Sequence, residues 1–280
     1  MIILRESNET KIWVESQINS GHSIGFVPTM GALHQGHISL VNQSKKENDF
    51  TLVSIFVNPT QFNNQQDLKK YPRTEEKDAQ LLEEAGVDIL FIPSVEEMYP
   101  QETTSQIFDF NGLENQMEGK FRPGHFDGVA TIVRKFFEII QPDRAYFGEK
   151  DFQQLRIIEE LVKKLNIQTQ IVPVAIMREP DGLAMSSRNM RLSEEMRAEA
   201  PEIYRILKNA KLYLKDNSIA DTKKFVSEAF AQTQLQLEYF EIADEQTLTS
   251  AAEKSKTQKL RAFVAVFADE IRLIDNLGLY

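Results

Sequence analysis

Residues 23–37 read Ser-Ile-Gly-Phe-Val-Pro-Thr-Met-Gly-Ala-Leu-His-Gln-Gly-His. Apolar Ile24 to Val27 predicts a strand, Gly31 and Gly36 punctuate the turn after it, and Ile38 to Lys46 predicts a helix. A strand, a tight turn and a helix N-terminus together make a place where backbone N–H groups and the positive helix end meet an anion. His34 and His37 bracket Gly36 at that spot. Two imidazoles there can hydrogen-bond phosphate oxygens and stabilise charge as it develops, so a nucleotide is the first ligand to consider.

Outward from this stretch, short apolar runs alternate with helical patterns. Strands are expected at 23–28, 51–57, 88–92, 144–147 and 169–175. The clearest helix spans 128–140, with Val129, Ile132, Val133, Phe136, Phe137 and Ile140 at spacings of three and four, Asp127 as N-cap and Pro142 as the stop. Others are expected at 74–85, closed by Gly86, and at 152–165. Such alternation implies a mostly parallel sheet clothed in helices, with ligands at the carboxyl ends of the strands. Loops 29–37, 58–62 and 148–154 fall there.

Beyond about residue 176 the rhythm changes. A loop at Arg178–Leu192 precedes helices near 194–215 and 221–234 and strands at 236–243, 260–268 and 271–275. The expected organisation is a Rossmann-like α/β domain over 1–176, then a smaller α+β domain over 177–280. The boundary falls in 175–185, around Pro180, Asp181 and Gly182.

Composition is that of an ordinary globular chain of 280 residues, 41% hydrophobic and 26% charged. A net charge of −10 argues against nucleic acid or an acidic membrane as the main partner, while leaving room for a local basic pocket. The absence of cysteine excludes disulfides, thiolate chemistry and Cys-based zinc sites, and fits a cytoplasmic address. The first ten residues lack a signal-peptide pattern, and no apolar stretch reaches membrane-spanning length.

Four segments could carry chemistry. The plain reading of His34-Gln-Gly-His37 is two loop histidines, and a zinc reading would need further ligands, with His125 the one inner-looking histidine left. Met185-Ser-Ser-Arg188 reads either as an ordinary surface linker or as a flexible loop able to wrap polyphosphate, Arg188 bidentate and the hydroxyls of Ser186 and Ser187 filling in. In Phe147-Gly-Glu-Lys-Asp-Phe-Gln-Gln154, Gly148 ends a strand, Asp151 suits a helix N-cap and Lys150 either lies in solvent or reaches a phosphate. Gln61 in Phe56-Val-Asn-Pro-Thr-Gln-Phe62 and Gln154 are neutral amides on loops at strand ends, solvent-facing or ligand-facing.

Taken in order, Pro-Thr-Met-Gly-Ala-Leu-His-x-Gly-His, Phe-Val-Asn-Pro-x-Gln-Phe, Arg-Pro-Gly-His-Phe-x-Gly-Val, Phe-Gly-Glu-Lys-Asp-x-Gln-Gln and Met-Ser-Ser-Arg-Asn closely resemble the pantothenate synthetase (pantoate–β-alanine ligase) family over roughly residues 23–192. The resemblance implies ATP-dependent joining of pantoate to β-alanine through a pantoyl adenylate, by a first domain of nucleotidyltransferase type over 1–176 with the C-terminal α+β domain over 177–280 as a lid. It implies that Met30, Gly31, Ala32, Leu33, His34, Gln35, Gly36 and His37 form the nucleotide turn, with His34, His37 and Lys150 catalytic. Gly148, Glu149, Lys150 and Asp151 would hold ribose and phosphates, Met177 would lie by the adenine, and Met185, Ser186, Ser187 and Arg188 would cover the triphosphate. Gln61 and Gln154 would hold pantoate, and Gln61 would border the β-alanine site. Mg²⁺ is expected with the triphosphate; its protein ligands are unknown, Asp78 being the one carboxylate considered. A homodimer is implied as well. The rival readings are a sister nucleotidyltransferase and a nucleotide sensor without turnover.

Overall fold

Ile24, Phe26 and Val27 are fully buried. The strand they form therefore has both faces covered, as an interior strand of a parallel sheet must. The computed structural model describes residues 1–63, 65–255 and 257–279. Its strands are β1 (Ile2–Leu4), β2 (Ile24–Thr29), β3 (Phe50–Ile55), β4 (Ile89–Phe91), β5 (Arg144–Gly148), β6 (Gln170–Val174), β7 (Gln236–Asp244), β8 (Leu260–Ala268) and β9 (Ile271–Gly278). Its helices are α1 (Ser7–Asn19), α2 (Gln35–Glu47), α3 (Gln65–Lys70), α4 (Glu75–Glu84), α5 (Val95–Met98), α6 (Met117–Phe121), α7 (His125–Ile140), α8 (Phe152–Leu165), α9 (Glu194–Glu199), α10 (Glu202–Tyr213) and α11 (Ile219–Phe230).

Two compact units emerge. Met1–Glu114, Glu118–Glu149 and Gln154–Ala175 form the first; Asn115–Met117, Lys150–Gln153 and the chain from Ile176 form the second. The first unit holds a six-stranded sheet in the order β1-β4-β3-β2-β5-β6 with every pair parallel. After β2 the chain builds outward through β3 and β4; β5 then returns to the other side of β2. The strand order thus turns between β2 and β5, and in open parallel sheets ligands bind at the carboxyl ends of the strands flanking such a turn.

The predicted spacing of α7 is the spacing of its buried face: Val129, Ile132, Val133, Phe136, Phe137 and Ile140 are all buried. Phe136 packs on Phe26 (5.5 Å), Phe91 (6.1 Å) and Phe56 (6.2 Å), fastening α7 to β2, β4 and the loop after β3. On α2, Ser44 Oγ shares a hydrogen bond with Thr51 Oγ1 at 2.8 Å, so the helix lies close on the sheet. Gly25 permits that approach: a Cβ there would overlap the Ser44 hydroxyl and stand 2.9 Å from Asn48 Cγ.

The second unit carries an antiparallel sheet, β7-β8-β9, beneath α10 and α11. Ile203, Ile206, Leu207 and Val226 from the helices meet Val264 and Val266 from β8 in its core. The architecture is therefore a Rossmann-like α/β unit and a smaller α+β unit.

Three expectations are corrected. Helix α7 begins at His125, and its N-cap is Gly124 at φ +77°, not Asp127. Asp127 lies in the first turn and accepts the Phe108 amide at 2.9 Å. The helix expected over 194–215 divides into α9 and α10 around Pro201, whose ring removes a backbone donor. The Arg178–Leu192 segment, expected as a loop, contains regular hydrogen-bonded structure. Met185 N donates to Met177 O (3.0 Å) and Glu179 N to Leu183 O (2.8 Å), making a hairpin, and Ser187–Arg191 forms a 3-10 turn. Strand β1 and helix α1 had no clear signature; β1 has three residues, and α1 buries only Thr10 and Val14.

Gly25→Ala is expected to destabilise the first unit by about 1–3 kcal/mol, the usual range for overpacking. A urea-denaturation midpoint indistinguishable from the parent's would refute the close approach of α2.

Candidate active site

Loop 30–34 leaves the carboxyl end of β2 through two successive left-handed residues, Gly31 (φ +80°) and Ala32 (φ +51°). A non-glycine residue holds that conformation only when its surroundings fix it. Asp78 on α4 supplies the fixing. Its carboxylate oxygens accept the amides of Ala32 and Leu33, both at 2.8 Å, and the Thr74 hydroxyl at 3.1 Å. The Asp78 side chain is 2% exposed. Asp78 is thus a backbone anchor, and its carboxylate is not presented to a cation. Thr29 Oγ1 completes the support, donating to Ser54 O (2.8 Å) and accepting from Gly31 N (3.2 Å).

His34 is the N-cap of α2, and the two histidines cap the helix reciprocally. His34 Nδ1 accepts from Gly36 N at 3.1 Å, and His37 Nδ1 accepts from His34 N at 3.3 Å. The rings lie 4.1 Å apart between centroids. An imidazolium has no lone pair with which to accept, so this pattern belongs to neutral rings carrying their proton on Nε2. The expectation of outward backbone amides needs revision. The amides of Ala32, Leu33, His34 and Gly36 are taken by Asp78 and by the two imidazoles. Those four peptide N–H groups are therefore already engaged within the protein.

Gln61 lies beside this loop. It ends the 3-10 turn Pro59–Gln61 after β3 and is 8% exposed. Its Oε1 accepts from Asn58 Nδ2 (3.2 Å), and its Nε2 donates to Met30 Sδ (2.8 Å). The Asn58 bond fixes the amide orientation, so Gln61 turns its NH₂ toward loop 30–34. Asn58 is held in turn: it donates to Gly128 O (3.0 Å), and its Oδ1 accepts from Tyr99 Oη (2.7 Å) and Thr60 Oγ1 (3.1 Å). Burial, opposed by the bonds to Thr60 and Asn58, pushes the Tyr99 hydroxyl above its ordinary pKa, so it remains a donor.

The Arg-Pro-Gly-His-Phe-x-Gly stretch secures the same turn from α7. His125 Nδ1 lies 2.9 Å from Gln61 O, and Arg122 Nη2 donates to that oxygen at 3.4 Å. Gly128 is needed for contact: a Cβ there would stand 2.6 Å from Thr60 O and 2.8 Å from Gln61 N. Arg122 also pairs with Glu118 at 3.6 Å.

Gly148 ends β5 and Glu149 opens the next 3-10 turn, both in the first unit, and Gln154, half-buried, lies in α8. Lys150 and Asp151 complete a 3-10 turn that packs with the second unit. Lys150 Nζ is 3.7 Å from Asp151 Oδ1, and the lysine side chain is 18% exposed. Within the second unit, Met177 and Met185 pair across the hairpin, with Met177 largely exposed. Ser186 caps the following 3-10 turn by accepting from Arg188 N at 3.3 Å, and Ser187 is buried. The hairpin is anchored by Arg178, which forms a bidentate pair with buried Asp275 (2.6 and 2.9 Å) and lies 3.7 Å over the Tyr204 ring.

The first unit therefore brings Met30, His34, His37 and Gln61 together, and the second gathers Lys150 with the Asp275–Asn276 end of β9. Sequence reading missed Asp78 as an anchor, Tyr99, and the pair Arg178–Asp275. Asn58 had a signal in Phe-Val-Asn-Pro; Tyr99 and Asp275 have no local one. Among the described residues, no three His, Asp or Glu side chains cluster as a metal site, and no helix is long and apolar enough to cross a membrane.

A parallel sheet with a histidine-capped helix at its switch point defines a Rossmann-like α/β protein built to receive an anionic ligand. A family model described as pantoate-beta-alanine ligase matches residues 2–278. The chain belongs to that family. It is 53% identical to the pantothenate synthetase of Flavobacterium psychrophilum, over the whole of both chains. It is 50% identical to that of Christiangramia forsetii, over all of this chain and 99% of the relative. The crystal structure of the Thermus thermophilus pantothenate synthetase superposes with a TM-score of 0.91, at 42% identity over both whole chains. The Francisella tularensis pantoate-beta-alanine ligase, solved with beta-gamma ATP and beta-alanine, superposes with a TM-score of 0.84 at 38% identity, over all of this chain and 98% of that one.

Asp78→Ala would leave the buried amides of Ala32 and Leu33 without an acceptor, at about 1–3 kcal/mol for each. A drop in the urea midpoint equivalent to at least about 2 kcal/mol is expected; an unchanged midpoint would mean the loop does not depend on this carboxylate.

Proposed function

We propose that this chain condenses pantoate with β-alanine at the expense of MgATP. The pantoate carboxylate attacks the α-phosphorus: a carboxylate O–P bond forms, the bond to the β-phosphate oxygen breaks, and pyrophosphate leaves. The β-alanine amine then attacks the acyl carbon, the C–O bond to AMP breaks, and the amine gives up a proton. The observation that carries this reading is the reciprocal His34–His37 cap at the carboxyl end of β2, beside the turn in strand order. Family membership over residues 2–278 supports it, as does the 38% identical Francisella ligase whose structure was solved with beta-gamma ATP and beta-alanine.

The roles follow from charge. A carboxylate nucleophile loses electron density to a direct cation, whereas a neutral amide orients it without quenching it. Gln61 suits this task, since Asn58 holds its Oε1 and turns Nε2 outward as a donor. The thioether of Met30 that meets Nε2 is a weak acceptor, which a pantoate oxygen would replace. We assign Gln154 to pantoate with Gln61, and the edge of the β-alanine site to Gln61. Developing charge sits on phosphate oxygens, so the donors belong there: Nε2–H of His34 and His37, with His37 the proton donor, and the cations Lys150 and Arg188. Residues 30–37 and Gly148 to Asp151 are assigned to the nucleotide, Met177 to the adenine, and Met185 to Arg188 to the triphosphate. Mg²⁺ enters as part of MgATP, its ligands phosphate oxygens and water.

The segment 177–280 is read as the lid that keeps water from the reactive mixed anhydride. A cytoplasmic homodimer completes the proposal; sedimentation of the purified protein at monomer mass would remove that last part.

The decisive experiment measures pyrophosphate and AMP. ATP with pantoate should release pyrophosphate stoichiometric with enzyme, and AMP should turn over only when β-alanine is added. Turnover of AMP without β-alanine, or none with it, would overturn the reading. Lys150→Ala and His37→Ala should each lower adenylate formation by at least about 10²-fold, with the fold retained by circular dichroism. Gln154→Ala should raise the pantoate KM by about tenfold or more and leave the ATP KM near the parent's; equal rises in both would assign Gln154 elsewhere.

A further inference from the structure

Lys150 follows a strand of the first unit in sequence, yet its turn is fastened to the last strand of the chain. Asn276 on β9 donates from Nδ2 to Lys150 O at 2.9 Å. Asn276 is itself held by further contacts, among them Arg178 Nη2, which donates to its backbone oxygen at 3.4 Å. Its Oδ1 accepts from Arg261 Nη1 (2.6 Å), and its backbone N–H donates to Asp275 Oδ1 (2.7 Å). The amide is therefore oriented, with its NH₂ directed at Lys150 and its oxygen at the guanidinium. Arg261 is fixed too, by Glu245 Oε1 at 2.9 Å and by stacking 3.9 Å above the Phe152 ring. Phe152 packs on Phe263 of β8 at 5.9 Å.

The turn carrying Lys150 thus meets β8 and β9 through one backbone carbonyl and one aromatic ring. Both Asn276 and Asp275 are buried, at 2% and 4% exposure. Asp275 is pushed upward by burial and held down by Arg178 and by the charge of Lys150, so the ammonium and this carboxylate feel one another.

We propose that Asn276 is a positioning residue for Lys150, setting the height and direction of the lysine through its backbone carbonyl. The network Arg178–Asp275–Asn276–Lys150 then ties the lysine to the same body as the hairpin that leads to Arg188. Two phosphate-directed cations from distant stretches of sequence are placed by one strand, β9. This inference rests on the reading of Lys150 as a phosphate-binding cation.

The test separates the two half-reactions. Asn276→Ala should slow pyrophosphate release from MgATP and pantoate by about 10- to 100-fold, the scale of a small misplacement of a catalytic group. Once the adenylate has been allowed to accumulate on the enzyme, its capture by added β-alanine should proceed at the parental rate. Asn276→Asp supplies a second variant: it keeps the volume and an acceptor for Arg261 but has no donor for Lys150 O, and it should slow the same step in protein shown to be folded by circular dichroism at the assay temperature, whatever its melting temperature. A parental rate of pyrophosphate release in either folded variant would overturn the proposal, as would an equal fall in both half-reactions. Should Lys150→Ala itself release pyrophosphate at the parental rate, the underlying role of Lys150 fails. Should Lys150→Ala be inactive while the Asn276 variants match the parent, only the positioning role fails.

Discussion

The arrangement of the first unit depends on one buried carboxylate. Asp78 takes two consecutive amides from a loop that must pass through two left-handed residues, one of them an alanine. Burying an ionised carboxylate is unfavourable unless donors surround it. Here the donors are the amides that the strained turn would otherwise leave unpaired, so one interaction satisfies both sides. With the turn fixed, His34 stands where it can cap α2, and His37 stands one turn on to cap it back.

That cap decides what chemistry the turn can do. A bare helix N-terminus meets an anion with peptide N–H groups. In this chain several of those groups are occupied by Asp78 and by imidazole Nδ1 atoms, so side chains of the turn, rather than peptide groups alone, shape this end of α2. A side-chain donor can also pass a proton, which a peptide amide cannot do at neutral pH. Gln61 is governed in a similar way. Its position and the orientation of its amide rest on Asn58, Tyr99, His125 and Gly128.

Much of this was legible in the chain. The spacing of α7 gave its buried face because a helix on a sheet must repeat its apolar residues every three or four positions. The parallel sheet followed from alternating strands and helices, and loops 29–37 and 58–62 were found at strand ends on that ground. Failures came where local pattern was silent or misleading. Asp127 suited an N-cap by type, but the turn before it used Gly124 at positive φ, and the helix began earlier. A run of polar helix formers hid the break at Pro201. The stretch 178–192 was expected as a loop, whereas its first part pairs as a hairpin fastened by a salt bridge to β9, distant in sequence.

The sequence by itself determined the family, the parallel sheet of the first unit and the α+β character of the second, because periodicity and dense motifs are local properties of the chain. The tertiary structure alone decided that the amides of Ala32 and Leu33 meet Asp78 and that Lys150 is held by Asn276. Each of these depends on partners that meet only when the sheet closes: Asp78 lies 46 residues from Ala32, and Asn276 lies 126 residues from Lys150. Hydrogen bonds at such separations leave no periodic trace, since nothing in a residue's neighbours along the chain records which distant carbonyl or carboxylate it will find.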